Sequence, residues 1–250
     1  METKAILVAG GKGSRLFPFT RYTQKTLLPL YHRPVIDYAL GTIRRGGITR
    51  ITIISNEHIG HIAKHVGQSM EGEQIHYVLE EEPQGVAQAL QLARPHNEDC
   101  RLMIYFSDNI TTVEFDELIQ DFNDAEQPPG CLLLAREEEQ PQAFGVAVLD
   151  DEGKVIDVVE KPSNPPSNLA IGGIYLFDET FWDKLDDAVE QKGDSFSISD
   201  INRAYIAEGK ANLVSVGAET WVDCGTPETL LQASIMAKDG KLNPRPYRER

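Results

Sequence analysis

No apolar run in the 250 residues is long. AILVAG (5–10) and RLMIYFS (101–107) are the longest, and a membrane-spanning helix needs roughly 20 apolar residues, so none is expected. The segment after Met1 is charged and then strand-like, with no secretory apolar region or small-residue cleavage site. Cysteine is scarce and odd in number: Cys100, Cys131 and Cys224 lie far apart, without metal-ligand spacing. That excludes a disulfide framework and predicts reduced, buried thiols in a cytoplasmic protein. Basic residues are outnumbered, 24 Lys and Arg against 39 Asp and Glu, for a net charge of -15. Such a chain is a poor general binder of nucleic acid or of anionic membrane. Internal repeats and low-complexity tracts are also missing.

What is present is ordinary for a globular protein: 41% hydrophobic and 25% charged residues. The length allows one large α/β domain or two small ones. Apolar β-branched runs alternate with helical spacing through the first half. Strands are expected at 5–9, 51–55, 75–79 and 102–106, with helices at 35–45, 59–66 and 86–93 between them. This order predicts a Rossmann-like, mostly parallel sheet flanked by helices. The second half reads as a smaller mixed part. A hairpin is expected from 145–149 and 155–159 around Asp151-Glu152-Gly153, then a loop at 163–168 and a strand at 171–177. A helix at 198–206, short strands at 213–216 and 221–222, and a closing helix at 227–237 follow. NPRPYRER (243–250) reads as a loose tail.

The charge is uneven. Residues 1–50 hold nine Lys or Arg and two acids, a local +7 inside an acidic chain. A cationic island of that kind points to a small polyanion such as a nucleotide, although Arg44, Arg45 and Arg50 are better read as solvating a helix end. Within the island, Gly10-Gly11-Lys12-Gly13-Ser14-Arg15 follows the first strand, where glycines let backbone N–H groups approach phosphate. It is not a Walker A loop, because Gly13 follows Lys12, nor a dinucleotide fingerprint, because Leu16 replaces the third glycine. Pro18 and Pro29 argue against a helix over 17–30.

GGKGSRLFPFT, QKTLLPL and RPVIDYAL resemble the signature region of sugar-1-phosphate nucleotidyltransferases, nearest to the glucose-1-phosphate thymidylyltransferases. PQGVAQAL, FSDNI, FGVAVLD, VEKP, SNLAIGGIYLFD, SISDINRAYIAEG and TWVDCGT continue the likeness along nearly the whole chain. The resemblance implies a single nucleotidyltransferase domain over 1–250. Its nucleotide part would be about 1–130, its sugar part about 131–226, with a closing helix and tail at 227–250. It implies transfer of a nucleotidyl group from an NTP of the dTTP/UTP type to a sugar 1-phosphate, giving an NDP-sugar and pyrophosphate by in-line attack on the α-phosphorus. Arg15 and Lys25 would be the catalytic cations. Gly10, Gly11, Gly13, Ser14, Glu80 and Gly85 would bind the nucleotide. Asn109, Gly145, Glu160, Lys161 and Ile171 would meet the sugar phosphate, and Asp108 and Asp223 would hold Mg²⁺. The partners implied are the two substrates and further copies of the chain in a dimer or tetramer.

The chain departs from the family pattern in three places. Glu80 stands where thymidylyltransferases place a thymine-pairing Gln, although Glu81, Glu82 and Gln84 are adjacent. A carboxylate only accepts hydrogen bonds, which favours a base edge with an amino donor, so CTP or GTP is an alternative. Lys192 to Ile198 replaces an Arg-Gly-Glu-Leu-Glu-Ile-like segment. The chain also lacks the extra helices of long members, so the short form without their allosteric site is expected. A non-catalytic nucleotide-sugar-binding homologue is a further alternative. A metal-dependent glycosyltransferase is disfavoured, because Ser107-Asp108-Asn109-Ile110 supplies no Asp-x-Asp.

Overall fold

The computed structural model describes residues 1–67, 72–125 and 128–242, so the expected loose tail at 243–250 lies outside the described residues. The first half alternates as its periodicity predicts. Strand β1 (Thr3–Val8) precedes two short strands, β2 (Pro29–Leu30) and β3 (Arg33–Pro34), and helix α1 (Val35–Arg45). Then come β4 (Arg50–Ser55), α2 (Ile59–Val66), β5 (Gln74–Leu79), α3 (Val86–Ala93) and β6 (Arg101–Phe106). Helix α1 stops where expected: its cap is Gly46, and Gly47 turns into the left-handed region at φ 76°.

β1 lies between β4 and β6 and is parallel to both, and β5 extends the parallel run beyond β4. Ile6 points to one face of the sheet with α3, whereas Ala5 and Leu7 point to the other with α1 and α2. Both faces are covered, which explains why the strand is a continuous apolar run rather than an alternating one.

The second half contains β7 (Asn109–Thr111), α4 (Asp116–Asp124), β8 (Cys131–Glu137), β9 (Gly145–Leu149), β10 (Val155–Glu160) and β11 (Leu169–Phe177). It closes with α5 (Phe181–Lys192), α6 (Ile198–Ala207), β12 (Ala211–Ser215), β13 (Trp221–Asp223) and α7 (Pro227–Lys238). The expected hairpin is β9–β10, antiparallel with Val146 opposite Val159. Four of these elements, β7, α4, β8 and α5, have no counterpart in the sequence reading. β11 runs antiparallel to β6, so the mixed part joins the parallel run in one nine-stranded sheet. Gly172 and Gly173 sit at the register shift of β11 against β8, between Ile171 and Tyr175.

Phe177, Phe181 and Tyr205 are buried and stack together on this side. Each such aromatic contributes about 1.5–3 kcal/mol of burial. All three cysteines are buried free thiols, as expected. Helix α7 packs its Ala233 and Ala237 with Leu30, Tyr38 and Val222 in a separate cluster, which fixes β13 beside β7.

Candidate active site

Parallel strands end at one edge of the sheet, and there β1 gives way to the glycine loop. The loop is held by a side chain that the sequence reading did not single out. Gln24 is 2% exposed. Its Nε2 donates to the Ala9 carbonyl and to Ser55 Oγ at 3.2 Å, while its Oε1 accepts from the Lys25 N–H at 2.8 Å. One amide thus ties the start of the loop to the residue that carries the next cation. Gly13 adopts φ 60°, and Thr20 Oγ1 donates to its carbonyl at 2.7 Å. A Cβ at Gly13 would crowd Thr20 and Lys25, so glycine is required by both conformation and space. Residues 14–27 are not an α-helix; they form three 3₁₀ turns, at Ser14–Leu16, Phe19–Arg21 and Lys25–Leu27.

The third turn brings Lys25 Nζ to 2.5 Å from Asp108 Oδ2. Asp108 follows β6, and its carbonyl accepts from the Cys224 N–H at 2.8 Å. Across the β7–β13 ladder, Asp223 is opposite Asn109. Two carboxylates therefore meet beside two cations, for Arg15 faces Asp223 as well. A Cβ on Gly225 would strike both the Asp223 carboxylate and the Arg15 guanidinium. The Asp223 carboxyl is raised above its ordinary range by burial and then by the charge of Asp108, while Lys25 and Arg15 oppose the rise. Burial also pushes the neighbouring Cys224 thiol up.

A cavity of about 200 Å³ is lined by Lys25 and Asp108, by Gly10 and Gly11, and by Glu80 and Gly85. Glu80 is 3% exposed, whereas Glu81, Glu82 and Gln84 are exposed. Of these four neighbours, Glu80 alone lines the cavity. A second, larger cavity of about 720 Å³ is lined by Arg15, Lys161, Asp223 and Phe144. Lys161 is held at φ 43°, uncommon for a residue with a side chain, with its N–H donating to the Phe144 carbonyl at 3.0 Å. Glu160 accepts from Ser199 Oγ at 2.7 Å and lies 3.4 Å from Lys161 Nζ. Gly145 packs against both Ser199 and Glu160.

Of the residues singled out by sequence, Gly10, Gly11, Lys25, Glu80, Gly85 and Asp108 share the first cavity, and Arg15, Lys161 and Asp223 share the second. Ser14 is exposed on the loop. Ile171 is buried beside Gly172, where Trp221 lies so close that a Cβ would overlap its ring. The Asn109 amide is taken up by packing: its Oδ1 accepts from Trp221 Nε1 at 2.8 Å and the Gly173 N–H at 3.2 Å, and its Nδ2 donates to the Phe106 carbonyl at 3.1 Å. Away from the site, Arg50 pairs with Glu2 in solvent as expected, but Arg44 forms a largely buried ion pair with Glu73 and the Arg45 side chain is mostly covered beside Glu114, so these two do not simply solvate a helix end.

Among the described residues, no three His, Cys, Asp or Glu side chains converge as a metal cage. No helix there is long and apolar enough to cross a membrane.

The family model described as Nucleotidyl transferase matches residues 4–240. The low-salt glycan biosynthesis nucleotidyltransferase Agl11 of Haloferax volcanii is 32% identical over 95% of this chain and 67% of its own length. A glucose-1-phosphate thymidylyltransferase of Streptomyces antibioticus is 36% identical over 70% of this chain, which spans about half of that protein, 49%. One from Xanthomonas campestris is 32% identical over 93% of this chain and 80% of its own. A Bacillus anthracis crystal structure, provisionally assigned as a glucose-1-phosphate thymidylyltransferase, superposes with a TM-score of 0.88 at 32% identity, covering 95% of this chain and 96% of the other. A UDP-glucose pyrophosphorylase shares the fold, with a TM-score of 0.83 at 20% identity over 96% of this chain and all of the other. The glycine loop, the paired carboxylates and these likenesses converge: the chain belongs to the sugar-1-phosphate nucleotidyltransferase family.

Proposed function

We propose that the chain joins a nucleoside triphosphate to a sugar 1-phosphate, releasing pyrophosphate and an NDP-sugar. The observation that carries this reading is the cluster of Lys25, Asp108, Asp223 and Arg15 at the end of a glycine loop. In-line attack of a sugar phosphate oxygen on the α-phosphorus needs alignment and charge neutralisation more than an acid–base pair. Gly10, Gly11, Gly13 and Ser14 offer backbone N–H groups to the triphosphate. Arg15 neutralises the β- and γ-phosphates and the departing pyrophosphate. Lys25, released from Asp108 when phosphate arrives, meets the charge that grows at the α-phosphorus. Lys161 meets the sugar phosphate from the second cavity, and the adjacent Glu160 takes the sugar hydroxyls, with Gly145 and the Ile171 backbone flanking the sugar. Asn109 acts there by holding β7, β11 and Trp221 in register.

Asp108 and Asp223 fit a magnesium ion. They are hard oxygen donors, Asp223 being raised by burial and then by the charge of Asp108, and only two, which suits an ion that keeps water and phosphate oxygens in its shell. When bound, Mg²⁺ supplies charge neutralisation to the phosphates. The remaining expectations, a homo-oligomer working in the cytoplasm without nucleic acid or membrane, belong to the same reading, and sedimentation of the purified protein checks the first.

Pyrophosphate release, with each common NTP and dTTP crossed against a panel of sugar 1-phosphates and Mg²⁺, tests the reaction. Release is expected with at least one pair, and Asp108→Asn should lower turnover by about 10²-fold or more while melting normally. No release with any pair would overturn the reaction; near-normal turnover of the variant would overturn the metal role.

A further inference from the structure

We infer that Glu80 selects the base, and that the base is guanine, the one whose pairing edge offers two adjacent donors. The inference rests on the nucleotidyl-transfer reading and deepens it. Glu80 follows β5, and its N–H donates to the Ser55 carbonyl at 2.8 Å, which fixes the residue in the cavity wall. Its side chain is buried, lies against the Gly10 backbone, and has no hydrogen-bond or ion-pair partner among the described residues. A Cβ at Gly10 would overlap its Oε2, so the loop glycine makes room for this carboxyl.

A buried carboxyl without a partner is costly, and burial alone pushes it up. Such a cost persists where a ligand removes it. The cavity leads from Glu80 past Gly10 and Gly11 to Lys25 and Asp108, so a nucleotide whose phosphates lie at the cations brings its base to Glu80. The walls there are apolar or backbone: Pro83, Val86 and Gly85, the last at φ 115° with open space where a Cβ would stand. Among the described residues lining that end, Glu80 is thus the side chain able to read a base edge.

What a carboxylate can read is narrow. It accepts at both oxygens and donates at neither. Guanine presents N1–H beside N2–H₂, so both oxygens are filled in a bidentate, charge-assisted pair. Uracil and thymine flank a single N–H with two carbonyls, and the second carboxylate oxygen would face one of them. Cytosine and adenine offer an amino group beside a bare ring nitrogen, with the same repulsion. A site that pairs polar groups with one ligand rejects another that leaves them unpaired.

The test measures pyrophosphate release by wild type and Glu80→Gln with GTP, ATP, CTP, UTP and dTTP across the sugar 1-phosphate panel. In parallel, calorimetry measures binding of the same nucleotides with Mg²⁺. GTP should exceed dTTP and UTP in kcat/KM by about 10-fold or more. Glu80→Gln, nearly isosteric and now able to donate, should lower the GTP-to-dTTP ratio by about 100-fold. Preference for dTTP or UTP in wild type, or an unchanged ratio in the variant, overturns the inference while leaving the reaction standing. If no pair releases pyrophosphate, the reaction falls, and the binding order still decides the base: GTP tightest and weakened by Glu80→Gln supports it. Any other order, or no binding at all, overturns it.

Discussion

At the scale of single residues, Gln24 shows how much of the loop rests on one amide. It satisfies the Ala9 carbonyl, reaches Ser55 and caps the Lys25 turn. Truncation to alanine strands the Lys25 N–H and leaves the Ala9 carbonyl with only its Ser55 hydroxyl partner, at about 1–3 kcal/mol. Gln24→Ala should therefore melt lower and lose kcat, because Lys25 is no longer set. Gln24→Glu should not restore the protein, since a carboxylate cannot donate to Ala9; full activity in that variant would refute the role. Glycines separate space from chemistry in the same way. Gly11→Ala meets nothing within 4 Å, so the fold should hold while KM for the triphosphate rises.

These residues also differ in how far they could be read from sequence. The glycine loop was legible because glycines and prolines prescribe backbone directly. Gln24 was not, because its partners at 9 and 55 are distant in the chain and met only on folding. Glu80 stood between the two: the residue type raised the question of the base, and burial chose it over Glu81, Glu82 and Gln84.

At the scale of elements, the parallel half was legible through its periodicity, whereas β7, α4, β8 and α5 were not. Helix α4, DELIQDFND, buries only Ile119 and Phe122, so its apolar stripe is too thin to stand out. β8, CLLLARE, is short, and its two partners, β11 and β12, both lie far along the chain, so no local turn announces it. Gly172→Ala tests how β11 holds β13. Its Cβ would overlap the Trp221 ring, which is pinned to Asn109, and overpacking of this kind costs about 1–3 kcal/mol. The melt should fall and, with β13 carrying Asp223, activity with it.

Helices α1 and α2 are joined by His65 Nε2 and Asp37 Oδ1 at 2.7 Å. The hydrogen bond to Asp37 raises the imidazole above its ordinary value of 6.5, against the opposing effect of burial. A raised cationic group stabilises the fold below its unfolded value, and that stability is lost as pH climbs through the folded value. Wild type should therefore exceed His65→Gln in melting temperature at about pH 6, and the gap should shrink by about pH 8. Part of the ring is in solvent, so the gap is small.

At the scale of the whole molecule, a net charge of -15 repels itself in the compact state. Moderate salt should raise the melting temperature by a few degrees, since screening relieves this repulsion more than it weakens exposed ion pairs. A melt that falls steadily with salt would show that the ion pairs dominate instead.

β6 has β1 on one side and β11 on the other. During synthesis the first neighbour is ready at once, but the second leaves the ribosome only after residues 107–168. Until then the strand RLMIYF shows an open, greasy flank to the cell. A nascent chain paused near residue 130 is thus a natural client for chaperones, and a fragment cut there should precipitate rather than fold.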